Sequence, residues 1–269
     1  MPLKPVKRGY KVWCLADSET GFVIRFEVYT GKTTEKAQDD HTLGEKVVLN
    51  LCSHANLDPW MVVAFDNSFT SVHLAQELYS QQLYSVDTVR SHRKGLPAML
   101  KSKSKLKQGE YLFQTNGPVS AVKLMDNKEV TMLSTCCYPK ETTEVKRCAK
   151  DGTQIVIPCP LVVSKYNLIM GGVDRFDQLR ERYAVSRSFA TIKWWHRILY
   201  WLIDLAIVNA FIMFQVNKTD SSTVRPDQLR FRLLLARQLT KGYERKPKRG
   251  RPVSFLANKR TVPDDVRLA

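Results

Sequence analysis

Two short apolar segments of this chain each end in an aspartate, and this pattern restricts the folds open to it. KVWCLAD ends on Asp17, and MVVAFD ends on Asp66. Short runs of this composition favour buried β-strands. In a sheet where the two strands lie side by side, both carboxylates would meet at one end, where α/β proteins place their chemistry. The pair therefore predicts a site at the end of a sheet.

The order of the predicted elements favours a mixed α/β sheet over a β-sandwich. A β-hairpin comes first, with a tight turn at 19–21, and helices and strands then alternate. The predicted elements of this part are strands 9–18 and 21–31, helix 41–55, strand 60–66, helix 70–83 and strand 84–91.

The pattern changes at about residue 96. Short strands separated by Gly, Pro, Asn and Lys predict a β-rich insertion over 96–164, with strands at 110–115, 119–125, 129–135 and 155–157. Three helices are then predicted, at 173–184, 192–216 and 226–239. Beyond Gly242 the chain becomes basic and rich in proline, which indicates a tail.

A second carboxylate pair lies in GGVDRFDQ, where Asp174 and Asp177 are three residues apart on one face of a predicted helix. Two carboxylates roughly 4 Å apart repel each other by about 4 kcal/mol at an effective dielectric constant of about 20. A hard divalent ion such as Mg²⁺ removes that cost. The alternative roles are ordinary ones: Asp17 in a turn, Asp66 and Asp174 as helix caps.

The formal charge of +16 is concentrated in two windows. Residues 90–107 contain seven Lys or Arg and no acid, and residues 237–260 contain nine against one Glu. The remaining chain has 26 basic and 25 acidic residues, so the body is nearly neutral. Such patches suit a polyanion like DNA, although solvated loops without a ligand give the same pattern.

Cysteine and histidine spacing predicts no zinc site, because the chain has no C-x-x-C pair and its five His residues are scattered. The six cysteines favour reduced, intracellular thiols over a disulfide framework. The apolar stretch 194–214 is long enough to cross a bilayer. Asp204 near its centre would be costly in lipid, which favours a core helix and no membrane.

Several motifs of this chain resemble successive blocks of piggyBac-type transposases and their domesticated derivatives. The blocks are MPLKPVKRGYKVWCLADSETGF, VAFDNSFTS, TVRSHRKGLP and YNLIMGGVDRFDQ, and they occur in the family order over residues 1–216. The resemblance implies an RNase H-like mixed sheet of the DDE/D transposase type, interrupted by a β-rich insertion and followed by a helical region. The implied domains are a first catalytic part (1–95), the insertion (96–164), a last catalytic part (165–190), a helical DNA-binding and dimerisation region (191–242) and a basic tail (243–269).

The resemblance also assigns the site. Asp17, Asp66 and Asp174 match the three metal-binding catalytic aspartates, and Asp177 matches a supporting acid. The implied cofactor is a pair of Mg²⁺ ions, with Mn²⁺ as a substitute. The implied partners are double-stranded DNA, namely transposon ends and TTAA targets, and a second copy of the chain.

Basic residues of the two windows are predicted to contact DNA. In the first window they are Arg90, Arg93, Lys94, Lys101, Lys103, Lys105 and Lys107. In the second, KPKRGRP resembles an AT-hook, with Lys248, Arg249, Gly250, Arg251 and Pro252 in the minor groove. The same run reads as a nuclear localisation signal, which predicts a nuclear protein, and a nonspecific basic tail is the alternative.

Three departures from the family pattern leave two functional hypotheses open. The chain is expected to be truncated at both ends, without the N-terminal DNA-binding region and the C-terminal zinc module, and Ser68 stands where the family has an aromatic residue. One hypothesis is a transposase that cleaves and transfers DNA strands with its three aspartates. The other is an inactive, domesticated or degenerate remnant that binds DNA without cutting it.

Overall fold

The structure is a computed structural model that describes residues 10–31, 41–101, 106–148, 154–189, 193–217 and 227–241. The nine strands of these residues are β1 (Val12–Ala16), β2 (Val23–Val28), β3 (Val62–Val63), β4 (Tyr84–Thr88), β5 (Tyr111–Asn116), β6 (Val119–Met125), β7 (Glu129–Ser134), β8 (Thr142–Cys148) and β9 (Gln154–Pro160). The helices are α1 (Leu43–Ser53), α2 (Val72–Ser80), α3 (Ala98–Lys101), α4 (Leu161–Ile169), α5 (Gly172–Arg182), α6 (His196–Val216) and α7 (Gln228–Leu239), with a 3₁₀ turn at Val185–Arg187.

The first hairpin forms where the sequence predicts it. β1 and β2 pair antiparallel, and Gly21 closes the turn between them at φ +80°, which favours glycine. Side chains of β1 alternate between two layers, as a strand requires. Trp13 packs against α1, whereas Cys14 packs toward α5 and α6.

A five-stranded sheet forms the second half of the core, in the order β3-β4-β7-β6-β5. β3 and β4 are parallel, and the other neighbours are antiparallel, so the sheet is mixed. Ala75 of α2 and Leu100 of α3 cover one face of this sheet, and Val162 of α4 covers the other. β7 pairs with β4, so strands of the predicted insertion continue the sheet that begins at β3. The domain boundaries themselves stay a prediction.

Several elements that begin inside 96–164 differ from the sequence prediction, among them the short helix α3, which was not predicted. β8 and β9 form a separate two-stranded ribbon, of which the sequence predicted only residues 155–157. α4 follows directly, where the prediction had no helix. Its first residues, Leu161, Val162 and Val163, are apolar and include two β-branched valines, and packing against the sheet rather than intrinsic propensity makes the segment helical.

The predicted side-by-side pairing of the two aspartate-bearing strands is wrong in the described structure. β1 pairs only with β2, and β3 only with β4 among the described residues. β3 is only two residues long because the extended, strand-paired conformation stops on both sides of it. Trp60 lies in the left-handed region at φ +67°, and the Phe65 N–H bonds the Asp87 side chain at 2.8 Å instead of a neighbouring strand.

α6 is, among the described residues, the one helix long and apolar enough by composition to cross a membrane. Its two central polar residues bond to other parts of the chain. Asp204 accepts the Val185 N–H at 3.1 Å. The Asn209 amide accepts the Val23 N–H at 3.0 Å and donates to the Val23 carbonyl at 2.9 Å. These contacts fit the expected core helix.

The chain divides into two compact units between residues 223 and 224. This boundary falls inside the predicted helical region 191–242. The described part of the second unit, residues 224–269, is α7, which is capped by the Asp227 carboxylate accepting the Arg230 N–H at 2.8 Å. The predicted AT-hook at 248–252 lies outside the described residues.

Candidate catalytic site

Asp17 lies directly after β1 and organises the hairpin turn. Its Oδ2 accepts hydrogen bonds from the Thr20 backbone N–H at 2.7 Å and from the Thr20 hydroxyl at 2.5 Å. The turn role that the sequence left open is therefore real. Both bonds use one carboxylate oxygen, and a carboxylate has a second oxygen with which to bind a cation.

Asp66 lies in the loop between β3 and α2, three residues after β3 ends. Its Oδ1 accepts the Asn67 N–H at 2.7 Å, and its carbonyl accepts the Phe69 N–H at 3.0 Å. α2 is instead capped by Ser71, whose hydroxyl accepts the Leu74 N–H at 3.0 Å. Since Ser71 serves as the cap, the exposed Asp66 carboxylate is available for other contacts.

The third aspartate lies in the first turn of α5. Gly171 is the N-cap residue and makes no side-chain cap bond, so Asp174 is not the N-cap. The Asp174 side chain is exposed. With Asp66, Asp174 lines a cavity of about 440 Å³ between β1 and β3, whose floor includes Leu15 and Val63. The gap between the unpaired strands thus becomes a cleft with carboxylates on two sides.

Two glycines bring α5 against the hairpin. A Cβ on Gly172 would lie 2.8 Å from the Asp17 carbonyl oxygen, and a Cβ on Gly21 would lie 2.9 Å from the Phe176 nitrogen. Real side chains do not fit at such distances, so both positions require glycine for α5 to approach β1. This contact places Asp174 two residues from the point where α5 touches Asp17.

The three aspartates surround one region without converging on a single point. In the described part of the chain, the groups of three or more ligating side chains close enough for one ion do not include them. The donor set still fits hard divalent ions, because it consists of carboxylates at an open cleft. Asp17 and Asp174 are held by the α5 contact, and Asp66 lies across the cleft.

Asp177 does not join the other acids. It pairs with Arg180 at 3.2 Å and lines a second cavity of about 670 Å³ with Cys14 and Trp201. Burial first, and then the Asp177 charge, raise the pKa of Cys14 to about 12. Asp177 therefore lines a different cavity from Asp174, although the two lie three residues apart on α5.

The predicted phosphate contacts divide into two kinds. Arg90 donates to the Asn67 side chain at 3.1 Å, and Arg93 donates to the Ser68 carbonyl at 2.8 Å. Both arginines therefore hold the loop that follows Asp66. Lys94 and Lys101 are exposed on the surface. Lys107 belongs to the part of the chain that the structure describes, whereas Lys103 and Lys105 lie outside it.

Two residues of the site were missed from sequence. Asp87 is fully buried in β4, and desolvation, the largest effect, raises its pKa well above the ordinary value despite the bond from Phe65. Burial also raises the pKa of Tyr166, a cleft residue that bonds Thr88 and lies in the field of Asp66 and Asp174. A carboxylate inside the apolar strand YSVDT was the available signal for Asp87.

Comparison with known proteins identifies relatives of this chain. Residues 1–211 match the family model described as Transposase IS4. The chain is 29% identical to human PiggyBac transposable element-derived protein 3 over 266 residues, which covers 93% of this chain and 42% of that protein. It is 27% identical to human PiggyBac transposable element-derived protein 2 over 242 residues, covering 87% of this chain and 40% of that one.

A solved structure shares the fold. The cryo-EM structure of a piggyBac transposase synaptic complex with hairpin DNA matches with a TM-score of 0.73 and 29% identity, over 89% of this chain and 48% of that one. The match confirms the RNase H-like α/β fold. The chain spans less than half the length of these relatives.

Proposed function

Because the chain belongs to the piggyBac-type transposases of the Transposase IS4 family, we propose that Asp17, Asp66 and Asp174 bind divalent metal ions and catalyse DNA strand cleavage and transfer. The observation that carries the proposal is the shared cleft: Asp66 and Asp174 line it, and α5 touches Asp17 beside it. Three carboxylates around an open cleft repel one another and repel the phosphates of a polyanionic substrate. Bound cations would compensate both repulsions.

The three carboxylates would hold two Mg²⁺ ions, or Mn²⁺ in their place. Bound ions supply Lewis acidity and lower the pKa of an attacking water or hydroxyl. Asp17 is positioned for this role by Thr20, and Asp66 by Asn67. Since the aspartates do not yet meet at one point, we propose that DNA and metal draw the Asp66 loop toward α5.

The partner would be double-stranded DNA, with transposon ends and TTAA targets as substrates and a second copy of the chain in the assembly. Exposed Lys94 and Lys101 would contact phosphates beside the cleft. Lys103, Lys105, Lys107 and the hook residues 248–252 would extend the contact, and the hook would also direct the protein to the nucleus.

The test is plasmid nicking by the purified chain with Mg²⁺ or Mn²⁺. We expect metal-dependent nicking by the natural chain and none by Asp66→Asn or Asp174→Asn. Asp58→Asn is the matched control, since Asp58 is also exposed on a loop beside β3 but lies outside the cleft. Equal nicking by Asp66→Asn and the natural chain would refute the proposal.

A second candidate function is DNA binding without cleavage, and the lack of convergence among the three aspartates favours it. It predicts binding that weakens steeply as salt rises while no nicking occurs under any metal. Neutralising Lys248, Arg249 and Arg251 together would then reduce binding. Unchanged binding by that triple variant would exclude the hook from this account.

A further inference from the structure

A cluster of two imidazoles and a carboxylate lies outside the catalytic cleft. His41 precedes α1, whereas His73 and Glu77 are one turn apart on α2. Their ligating atoms all lie within 4.8 Å of one another, and His41 Nε2 is 2.5 Å from Glu77 Oε2. The histidines are scattered in sequence, yet the fold brings His41 next to the i, i+4 pair of His73 and Glu77.

The chemistry of the cluster differs from that of the three aspartates. Two imidazoles and one carboxylate form a ligand set that Zn²⁺ accepts, with a water in the fourth position. Mg²⁺ prefers oxygen ligands alone, so it would not select this cluster. His73 has 56% of its side chain exposed, which leaves room for ion entry and for the water.

The distances between the ligating atoms of His41, His73 and Glu77 need only a small adjustment to bind zinc. Zinc bonds of about 2.0–2.1 Å in a tetrahedral site separate neighbouring ligand atoms by roughly 3.3 Å. The His41–Glu77 hydrogen bond would lengthen by less than about 1 Å, and wider pairs would close by about 1.5 Å. Side-chain rotation can supply such shifts at a partly exposed site.

A buried carboxylate supports the cluster from outside. Glu45 Oε1 lies 3.8 Å from His73 Nδ1, and Glu45 is 4% exposed. It also accepts a hydrogen bond from Ser71 and one from the Thr42 N–H at 2.6 Å. Carboxylates beside ligating imidazoles orient the ring and strengthen the metal bond. Glu45 would act as a positioning residue for His73 once this separation of 3.8 Å closes to hydrogen-bond distance.

We propose that His41, His73 and Glu77 bind a zinc ion that joins the segment before α1 to the outer face of α2. α2 follows the Asp66 loop directly, and its cap residue Ser71 bonds Glu45. The ion would therefore stiffen the α1–α2 pair on one side of the cleft. It serves a structural role and takes no part in the chemistry at the aspartates.

The test uses the full chain, stripped with chelator and kept reduced, and titrated with ZnCl₂ by calorimetry. We expect one tight site that weakens at least about tenfold in Glu77→Gln and in His73→Ala. Glu77→Gln is decisive if His73→Ala does not fold, because the amide can still bond His41. His54→Gln is the control, since His54 is the exposed C-cap residue of α1 and lies outside the cluster.

Thiols could give a false signal, so Co²⁺ spectroscopy accompanies the titration. Nitrogen and oxygen ligands give visible bands without the near-ultraviolet charge-transfer band of thiolates. A thiolate band, or zinc binding unchanged by Glu77→Gln, would overturn the proposal. Asp66→Asn should keep the zinc site and lose nicking, so failure of either proposal is recognised independently of the other.

Discussion

The carboxyl group of Asp87 accepts the Phe65 backbone N–H at 2.8 Å and so fixes the chain one residue before Asp66. Asp87 is fully buried in β4, and burial raises its pKa well above the ordinary value. A carboxyl group whose protonated form is favoured by burial therefore holds the chain just before Asp66. This arrangement makes the stability of the cleft depend on pH.

We expect the Asp87→Asn variant to fold, and we expect its free energy of unfolding to depend less on pH than that of the natural chain. The unfolded chain releases the Asp87 proton above a pH of about 4, and the folded chain keeps it to a higher pH. The free energy of unfolding therefore falls as pH rises from about 4 through the folded pKa. Denaturant titrations between these limits would show the fall in the natural chain and a smaller one in Asp87→Asn.

Asp87→Ala separates the hydrogen bond from the charge. It leaves the half-buried Phe65 N–H without its acceptor, which should cost about 1–3 kcal/mol at every pH. An alanine variant as stable as the asparagine variant would show that the bond to Phe65 contributes nothing.

Gly172 controls the distance between α5 and Asp17. A methyl group there would lie 2.8 Å from the Asp17 carbonyl, so Gly172→Ala should push α5 away and cost about 1–3 kcal/mol. Gly171→Ala is the matched control, because its Cβ would meet only the Arg175 side chain at 3.8 Å. Thermal unfolding of both variants checks the prediction, and equal stability would contradict it.

Arg93 and Lys94 are adjacent in sequence but should behave differently. Arg93 bonds the Asn67 and Ser68 carbonyls at 3.2 and 2.8 Å, whereas Lys94 is exposed. Arg93→Ala should therefore lower the nicking rate more than DNA affinity, and Lys94→Ala should mainly weaken DNA binding. Nicking kinetics and salt-dependent binding measured on both variants test this. The same loss of affinity with unchanged nicking rate in both would identify Arg93 as a simple phosphate contact.

Cys136 should be the most reactive thiol among the described cysteines. The hydrogen bond with Cys137, whose sulfur is 3.3 Å away, lowers the pKa of Cys136 to about 6. Burial raises the pKa of Cys52 to about 12. Alkylation at neutral pH followed by peptide mapping should label Cys136 first, with a rate that falls below a pH of about 6.

Cys137→Ala provides the control for this prediction. Without the Cys137 thiol, the Cys136 pKa should rise and alkylation at neutral pH should slow. Equal labelling rates for Cys136 and Cys52 in the folded natural chain would contradict the proposed thiolate.

Local patterns sufficed for much of the architecture. Alternation in GFVIRFEV and the turn at Gly21 predicted the first hairpin, and the helix of SVHLAQELYS was predicted with Ser71 at its start. Such features depend on neighbours within a few residues, so the amino-acid order determines them. The position of Asp17 directly after β1 follows from the same local information, whereas β3 ends three residues before Asp66, earlier than the sequence predicts.

Only the tertiary structure decided which distant groups meet. The Phe65 N–H bonds Asp87 rather than a strand, so β1 and β3 flank a cleft instead of pairing. His41 reaches Glu77 across 36 positions of sequence, and no periodicity encodes that distance. Contacts of this kind arise when apolar faces are buried together, because burial fixes where every attached polar group must find a partner.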